Sequence, residues 1–269
     1  LHQRNDGPAA MKRWAEQISD IARRAGDEIM AVYRQDFSVY EKADASPLTQ
    51  ADLAAHHCIV GLLPGIEASL PVLSEESADI DWAIRRQWPR YWLVDPLDGT
   101  REFIKKNDEF TVNIALIENG EPVLGVVYAP ALDWLLVGGR GLDAQWFKGA
   151  EQGTARVAKA LSPLRVAASR SHRDEKTQAY LDQIGAVDTV GLGSSLKFCR
   201  IATGEVDLYP RFGPTSEWDT AAAQAVLEAA GGGVFTLDGD PLRYNQKESL
   251  LNPHFIAVGD RGIDWQDWL

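Results

Sequence analysis

The stretch Trp92-Leu93-Val94-Asp95-Pro96-Leu97-Asp98-Gly99-Thr100 decides how this chain is read. Its apolar opening is a buried strand, and the strand delivers two carboxylates, a proline, a glycine and a hydroxyl at its carboxyl end. Neighbouring carboxylates repel one another and are costly to desolvate unless a cation or a proton sits between them. Hard cations such as Mg²⁺ prefer carboxylate and carbonyl oxygens. Gly99-Thr100 then opens a new element whose free backbone N–H groups suit a phosphate. Metal beside phosphate is the first-order reading.

Outward from this strand the chain alternates helical and strand patterns. Trp14, Ile18, Ile21, Ala25, Ile29 and Val32 recur at helical spacing. A second helix is expected from Thr49 or Asp52 through Leu63, ended by Pro64-Gly65. Pro71 to Ser74 reads as a strand leading into Glu75-Glu76, and Ser77 to Pro89 as an irregular, Trp-containing excursion. Glu118-Asn119-Gly120-Glu121 lies between two apolar runs and is a strong hairpin signal, with an antiparallel meander continuing through Trp146. Glu151 to Ala160 is the best boundary. The expected division is a lead-in over 1–10, an α+β half over 11–160 and an α/β half over 161–269. In the second half, helices are expected over Asp174 to Ile184, Ser195 to Thr203 and Thr220 to Ala230, the last stopped by Gly231-Gly232-Gly233.

Composition bounds the function classes. The 269 residues are 45% apolar and 25% charged, with a formal charge of −12, which argues against binding a nucleic-acid polymer through a basic surface. A small anion remains compatible, because a bound divalent cation reverses the local field. Cys58 and Cys199 alone give no disulfide framework. No apolar run approaches a membrane span. A cytoplasmic protein is expected, with peripheral association at the inner membrane and the choice between monomer and homodimer left open.

Glu75, Asp95, Asp98 and Asp219 form the candidate metal set, since each lies where one element gives way to another. Taken singly, each is a solvated loop acid, and Asp219 is a helix N-cap. His56 and His57 are adjacent on one helix and cannot form a zinc pair, and no Cys or His cluster has zinc spacing. Cys199 reads as a buried thiol, and Trp146 and Tyr209 as core.

Leu73-Ser74-Glu75-Glu76, Asp95-Pro96-Leu97-Asp98-Gly99-Thr100 and Trp218-Asp219, in that order, resemble the three-part signature of the inositol monophosphatase superfamily. The resemblance runs from the first helix to the last strand. It implies a layered αβαβα sandwich of the inositol monophosphatase/fructose-bisphosphatase type, and a Mg²⁺-dependent, lithium-sensitive phosphatase. Ser46-Pro47-Leu48-Thr49, Leu97 to Ile104, Gly193 to Cys199 and Leu208 to Thr215 are most similar to the bacterial 3′(2′),5′-bisphosphate nucleotidases of sulfate assimilation. The implied substrate is a small bisphosphate nucleotide, adenosine 3′,5′-bisphosphate, with its sulfated precursor left open.

The resemblance also implies roles. Glu75, Asp95 and the main-chain carbonyl of Leu97 would hold one Mg²⁺, and Asp95, Asp98 and Asp219 a second, with a third ion left open. Asp52 would accept from the Thr100 hydroxyl, which orients the attacking water. Gly99 and Thr100 would offer N–H groups to the phosphate, and Asp219 would also face the substrate. Ser194, Ser195 and Lys197 would cradle the second phosphate, with Arg170 ranked below them as a nucleotide contact, and Arg211 reads either as an anion contact or as a strand-end charge. Inositol or sugar monophosphate hydrolysis, and a catalytically silent nucleotide- or metal-binding protein, are the alternatives. Haloacid-dehalogenase chemistry is set aside, because two residues rather than one separate Asp95 from Asp98.

Overall fold

The computed structural model describes residues 7–37, 46–168 and 173–269. Helix α1 (Pro8–Tyr33) begins inside the segment expected as lead-in, with a proline at its first turn where the missing N–H costs nothing. Helix α2 (Pro47–Leu62) is capped by Ser46, whose hydroxyl accepts from the Thr49 N–H. The first sheet runs β1 (Val72–Ser74), β2 (Arg90–Asp98), β3 (Thr111–Glu118), β4 (Glu121–Ala129), β5 (Trp134–Gly139), β6 (Leu142–Lys148) and β7 (Glu151–Thr154), in that spatial order. Only the β1–β2 pairing is parallel. Strand β7 therefore lies in the stretch read as a boundary, and pairing with β6 rather than its polar composition makes it a strand. The excursion after Ser77 contains a helical turn, α3 (Trp82–Arg85), between β1 and β2.

Helix α4 (Thr100–Lys105) follows β2, and the chain crosses to the second sheet after β7. That sheet is ordered β11-β12-β10-β8-β9, from β8 (Leu164–Ala168), β9 (Val187–Gly191), β10 (Leu208–Arg211), β11 (Gly233–Thr236) and β12 (Phe255–Val258). Helices α5 (Glu175–Ile184), α6 (Leu196–Ala202) and α7 (Glu217–Ala229) complete the fold. Alternation along β2 explains the layering. Trp92 and Val94 bury against α1 and α2, while Tyr91 and Leu93 face the core built on α6, α7 and the second sheet. A strand covered on both faces has no polar side to show, hence its unbroken apolar run. The far face of the second sheet packs Val166, Leu208 and Ile256 against Tyr180 and Leu181 of α5. The stack is helix, sheet, helix, sheet, helix. Helix α7 lies so close to β4 that a Cβ at Gly125 would come 2.4 Å from the Ala222 carbonyl oxygen. No helix among the described residues is long and apolar enough to cross a membrane.

Candidate metal centre

The parallel pairing of β1 with β2 sets Ser74 opposite Val94, so Glu75 and Asp95 leave the sheet side by side. Their carboxyl groups share a hydrogen bond. In a regular strand Asp95 and Asp98, three apart, would face opposite sides. The β2–β3 register breaks between them, where Pro96 has no N–H to give to the ladder. The irregularity brings their carboxylates together. With Asp219 they place one oxygen each within 4.8 Å of one another.

Asp219 arrives on α7, but not as its N-cap. Ser216 is the cap, and Asp219 at the third helical position accepts from the Ser216 N–H at 2.8 Å, closing a capping box. The positive end of the helix dipole thereby faces a cluster of negative charge. Leu97 has its side chain buried beneath α1 and α2, so main chain is all it can present. The Leu97 N–H donates to Asp95 Oδ1 at 3.3 Å.

Electrostatics in this cluster run one way. Burial, and then repulsion from Asp98, Glu75 and Asp219, holds Asp95 well above the ordinary carboxyl range. Asp98 is pushed up to about 7 by burial and by Asp219, against the opposing Ser194 hydrogen bond and the Lys197 charge. Glu75 is raised, chiefly by burial. Asp52 on α2 is pushed up to about 8, by burial first and then by its hydrogen bond with Glu76. Oxygen donors crowded together at such cost fit a hard divalent cation, which would relieve burial and repulsion at once.

The remaining expected residues are partly gathered here. Gly99 turns the chain from β2 into α4 at φ 88°, a left-handed conformation that a side chain would strain. Thr100 follows, exposed at the first helical position. No hydrogen bond joins Thr100 to Asp52 among the described residues; the Asp52 carboxyl group is paired with Glu76 instead. Ser194 and Ser195 are engaged by a carboxylate rather than left open to a phosphate. The Ser194 hydroxyl donates to Asp98 Oδ2 at 2.7 Å and the Ser195 N–H donates to the same oxygen at 2.9 Å. Lys197 stands at the start of α6 with Nζ 5.2 Å from the Tyr209 ring centre. Tyr209 is core as expected, packed on Phe198 and Phe255, and it also forms part of the cleft wall. Arg170 lies outside the described residues.

Four residues reach the site without having been assigned a role from the sequence. Glu76 partners Asp52, and Glu109 Oε2 accepts from the Gly193 N–H at 2.9 Å. Thr111 and Asn113 lie behind Ser194 and Ser195. Their signal was two polar residues at strand spacing inside the apolar run Phe110 to Ile117. His56 has a positional task too, since its Nδ1 is 2.9 Å from Ser74 Oγ, directly before Glu75. A cleft of about 670 Å³ opens over the centre, lined by the acids Asp98, Glu102, Glu109 and Asp219 and by the cations Arg101, Lys105, Lys197 and Arg211.

Comparison with known proteins gives one pattern. A model of the inositol monophosphatase family matches residues 10–259. The 3′(2′),5′-bisphosphate nucleotidase CysQ of Escherichia coli strain K12 is 50% identical over 242 residues, 89% of this chain and 97% of that protein. The solved structure of CysQ from Bacteroides thetaiotaomicron, described as a bacterial member of the inositol monophosphatase family, superposes with a TM-score of 0.83 at 43% identity, covering 92% of this chain and 97% of that one. An inositol monophosphatase from Zymomonas mobilis superposes at 0.77 with 27% identity, covering 96% of both.

Proposed function

The chain belongs to the inositol monophosphatase family, and we propose that this protein is a Mg²⁺-dependent 3′(2′),5′-bisphosphate nucleotidase. It removes the 3′-phosphate of adenosine 3′,5′-bisphosphate and leaves AMP. One observation carries the substrate: a single cleft is walled by the Asp98 and Asp219 carboxylates and by the cationic side chains of Lys105, Lys197 and Arg211. A phosphate beside Asp98 and Asp219 has the cation for company, whereas a second phosphate needs positive charge from the protein itself. Arg211 supports this assignment, because its Nε is buried with no hydrogen-bond partner among the described residues. Inositol monophosphate has no second phosphate to place there.

Glu75, Asp95, the Leu97 carbonyl, Asp98 and Asp219 are the groups assigned to hold Mg²⁺. Bound there, the metal supplies a water of lowered pKa and neutralises charge on the phosphoryl and leaving oxygens. The chain's own groups perform the rest. Gly99 and Thr100 offer N–H groups to the phosphate being transferred. The Thr100 hydroxyl orients the attacking water, and the Asp52 carboxylate accepts a hydrogen bond from that hydroxyl. Lys197 and Arg211 fix the second phosphate, which sets the reacting one in line.

Initial rates of phosphate release test the reading, with adenosine 3′,5′-bisphosphate and inositol 1-phosphate compared under Mg²⁺, each with and without lithium. Preference for the bisphosphate, suppressed by lithium, is the expected result. Preference for inositol 1-phosphate would remove the second-phosphate assignment. Release from neither would favour a binding protein.

A further inference from the structure

Thr111 and Asn113 are fully or almost fully buried, at 0% and 1% exposure, in a strand whose neighbours Phe110, Val112, Ile114 and Leu116 are all apolar core. Polar groups in such a place are costly unless their hydrogen bonds are made. Thr111 Oγ1 has three partners: Asn113 Nδ2 at 2.9 Å, Ser194 Oγ at 2.8 Å and Ser195 Oγ at 2.7 Å. A hydroxyl owns one proton and two lone pairs, so the three bonds allow very few arrangements.

The direction of each bond follows. Asn113 Nδ2 also reaches the Thr111 carbonyl oxygen at 3.4 Å, which fixes the amide end as donor. Ser194 Oγ lies 2.7 Å from Asp98 Oδ2 and gives its only proton to that carboxylate. Ser194 must then accept from Thr111, which uses the Thr111 proton, and Ser195 must donate to Thr111. The chain of protons runs Ser195 to Thr111 to Ser194 to Asp98, with Asn113 donating from behind. Ser194 also sits at φ 59°, a conformation costly for a residue with a Cβ, and its two hydroxyl bonds hold it there.

We propose that Thr111 is a positioning residue for the cation site: by setting the Ser194 hydroxyl to donate to Asp98 Oδ2, it orients that carboxylate for the metal. The same bonds tie the metal ligand to the loop that leads into Lys197, so occupancy of the cation and order in the substrate loop favour one another. The inference rests on the assignment of Asp98 as a cation ligand. Outer groups that orient a metal ligand are worth about 10- to 100-fold in metal affinity.

The test is calorimetric titration of Mg²⁺ into the full chain stripped with EDTA, with thermal melts of each protein in EDTA beside it. Thr111→Val, of the same shape without the hydroxyl, is expected to bind Mg²⁺ about tenfold or more weakly. Thr111→Ser keeps the relay and is expected to bind as the parent protein does. Ser194→Gly accepts the left-handed backbone but lacks the last donor, and should show a similar loss. Adding Thr111→Val to it should weaken binding no further, because the two act in series. Should Thr111→Val fail to fold, Ser194→Gly carries the test alone. A Thr111→Val protein with a lower melting temperature but parental Mg²⁺ affinity would reduce Thr111 to a structural residue and overturn the proposal, as would parental affinity in Ser194→Gly. If the parent protein binds no Mg²⁺, the cation assignment itself fails and takes the inference with it.

Discussion

Asp95 is 1% exposed, shares a hydrogen bond with Glu75 and is repelled by Asp98 and Asp219. Replacing it by asparagine keeps the volume and removes the charge from the middle of the cluster. Asp95→Asn is expected to lose at least about 100- to 1,000-fold in kcat under saturating Mg²⁺, the scale seen when one preorganised electrostatic group is removed. Its melting temperature in EDTA should not fall, because a buried charge without a cation is a liability to the folded state. Near-parental turnover would remove Asp95 from the mechanism. Lys197 makes a different demand. It lines the cleft and acts on Asp98 only through its charge. Lys197→Ala should raise KM for adenosine 3′,5′-bisphosphate by about 10- to 100-fold, the worth of a charge-assisted phosphate contact. KM for a substrate with one phosphate should hold within about twofold. Equal losses on both substrates would place Lys197 at the reacting phosphate instead.

At the scale of elements, legibility followed locality. The hairpin between β3 and β4 was readable because Asn119 and Gly120 adopt φ 51° and 80°, the positive pair that an Asn-Gly turn supplies. Strand β2 was readable from its apolar run, and Glu75, Asp95, Asp98 and Asp219 from their places at element ends. Helix α3 was not readable. Its four residues are too few for periodicity, and its last, Arg85, is held by Asn245 Oδ1 at 2.7 Å, a partner 160 residues away. The bonds from the 194–195 loop to Asp98 span the sheets in the same way, so no local pattern announced them. Helix α7 shows both cases. Its alanines marked a helix, but its start at Glu217 depends on the Ser216–Asp219 box, and its closeness to β4 depends on Gly125. Gly125→Ala would force a Cβ against the Ala222 carbonyl and should cost about 1–3 kcal/mol in urea unfolding. Because α7 carries Asp219, the same variant should also need more Mg²⁺ for half-maximal activity. Unchanged stability would mean that the helix has room to retreat.

For the molecule as a whole, the acidic centre makes stability depend jointly on pH and metal. Burial and mutual repulsion lift Asp98 to about 7, Asp52 to about 8 and Asp95 well above the normal carboxyl range. In an unfolded chain such groups titrate at about 4. A carboxyl raised by folding binds its proton more tightly in the native state, so protonation favours the fold. The stability it lends is complete below about 4 and is lost as pH rises through the folded value. The window lies between about 4 and 8, which includes neutral pH. In EDTA the protein should therefore melt several degrees lower at pH 8 than at pH 6, since about 1 kcal/mol moves a chain of this size by roughly 2–4 °C. Mg²⁺ takes the place of the protons. It should raise the melting temperature more at pH 8 than at pH 6, flatten the pH dependence, and release protons into the buffer on binding at pH 7. Differential scanning calorimetry across that range, in EDTA and in Mg²⁺, reads all but the last directly, and titration calorimetry in buffers of different ionisation enthalpy reads the protons. Melting in EDTA that stays level or rises from pH 6 to 8 would mean that the carboxylates are already compensated within the protein, and the case for a cation at this centre would lose its electrostatic basis.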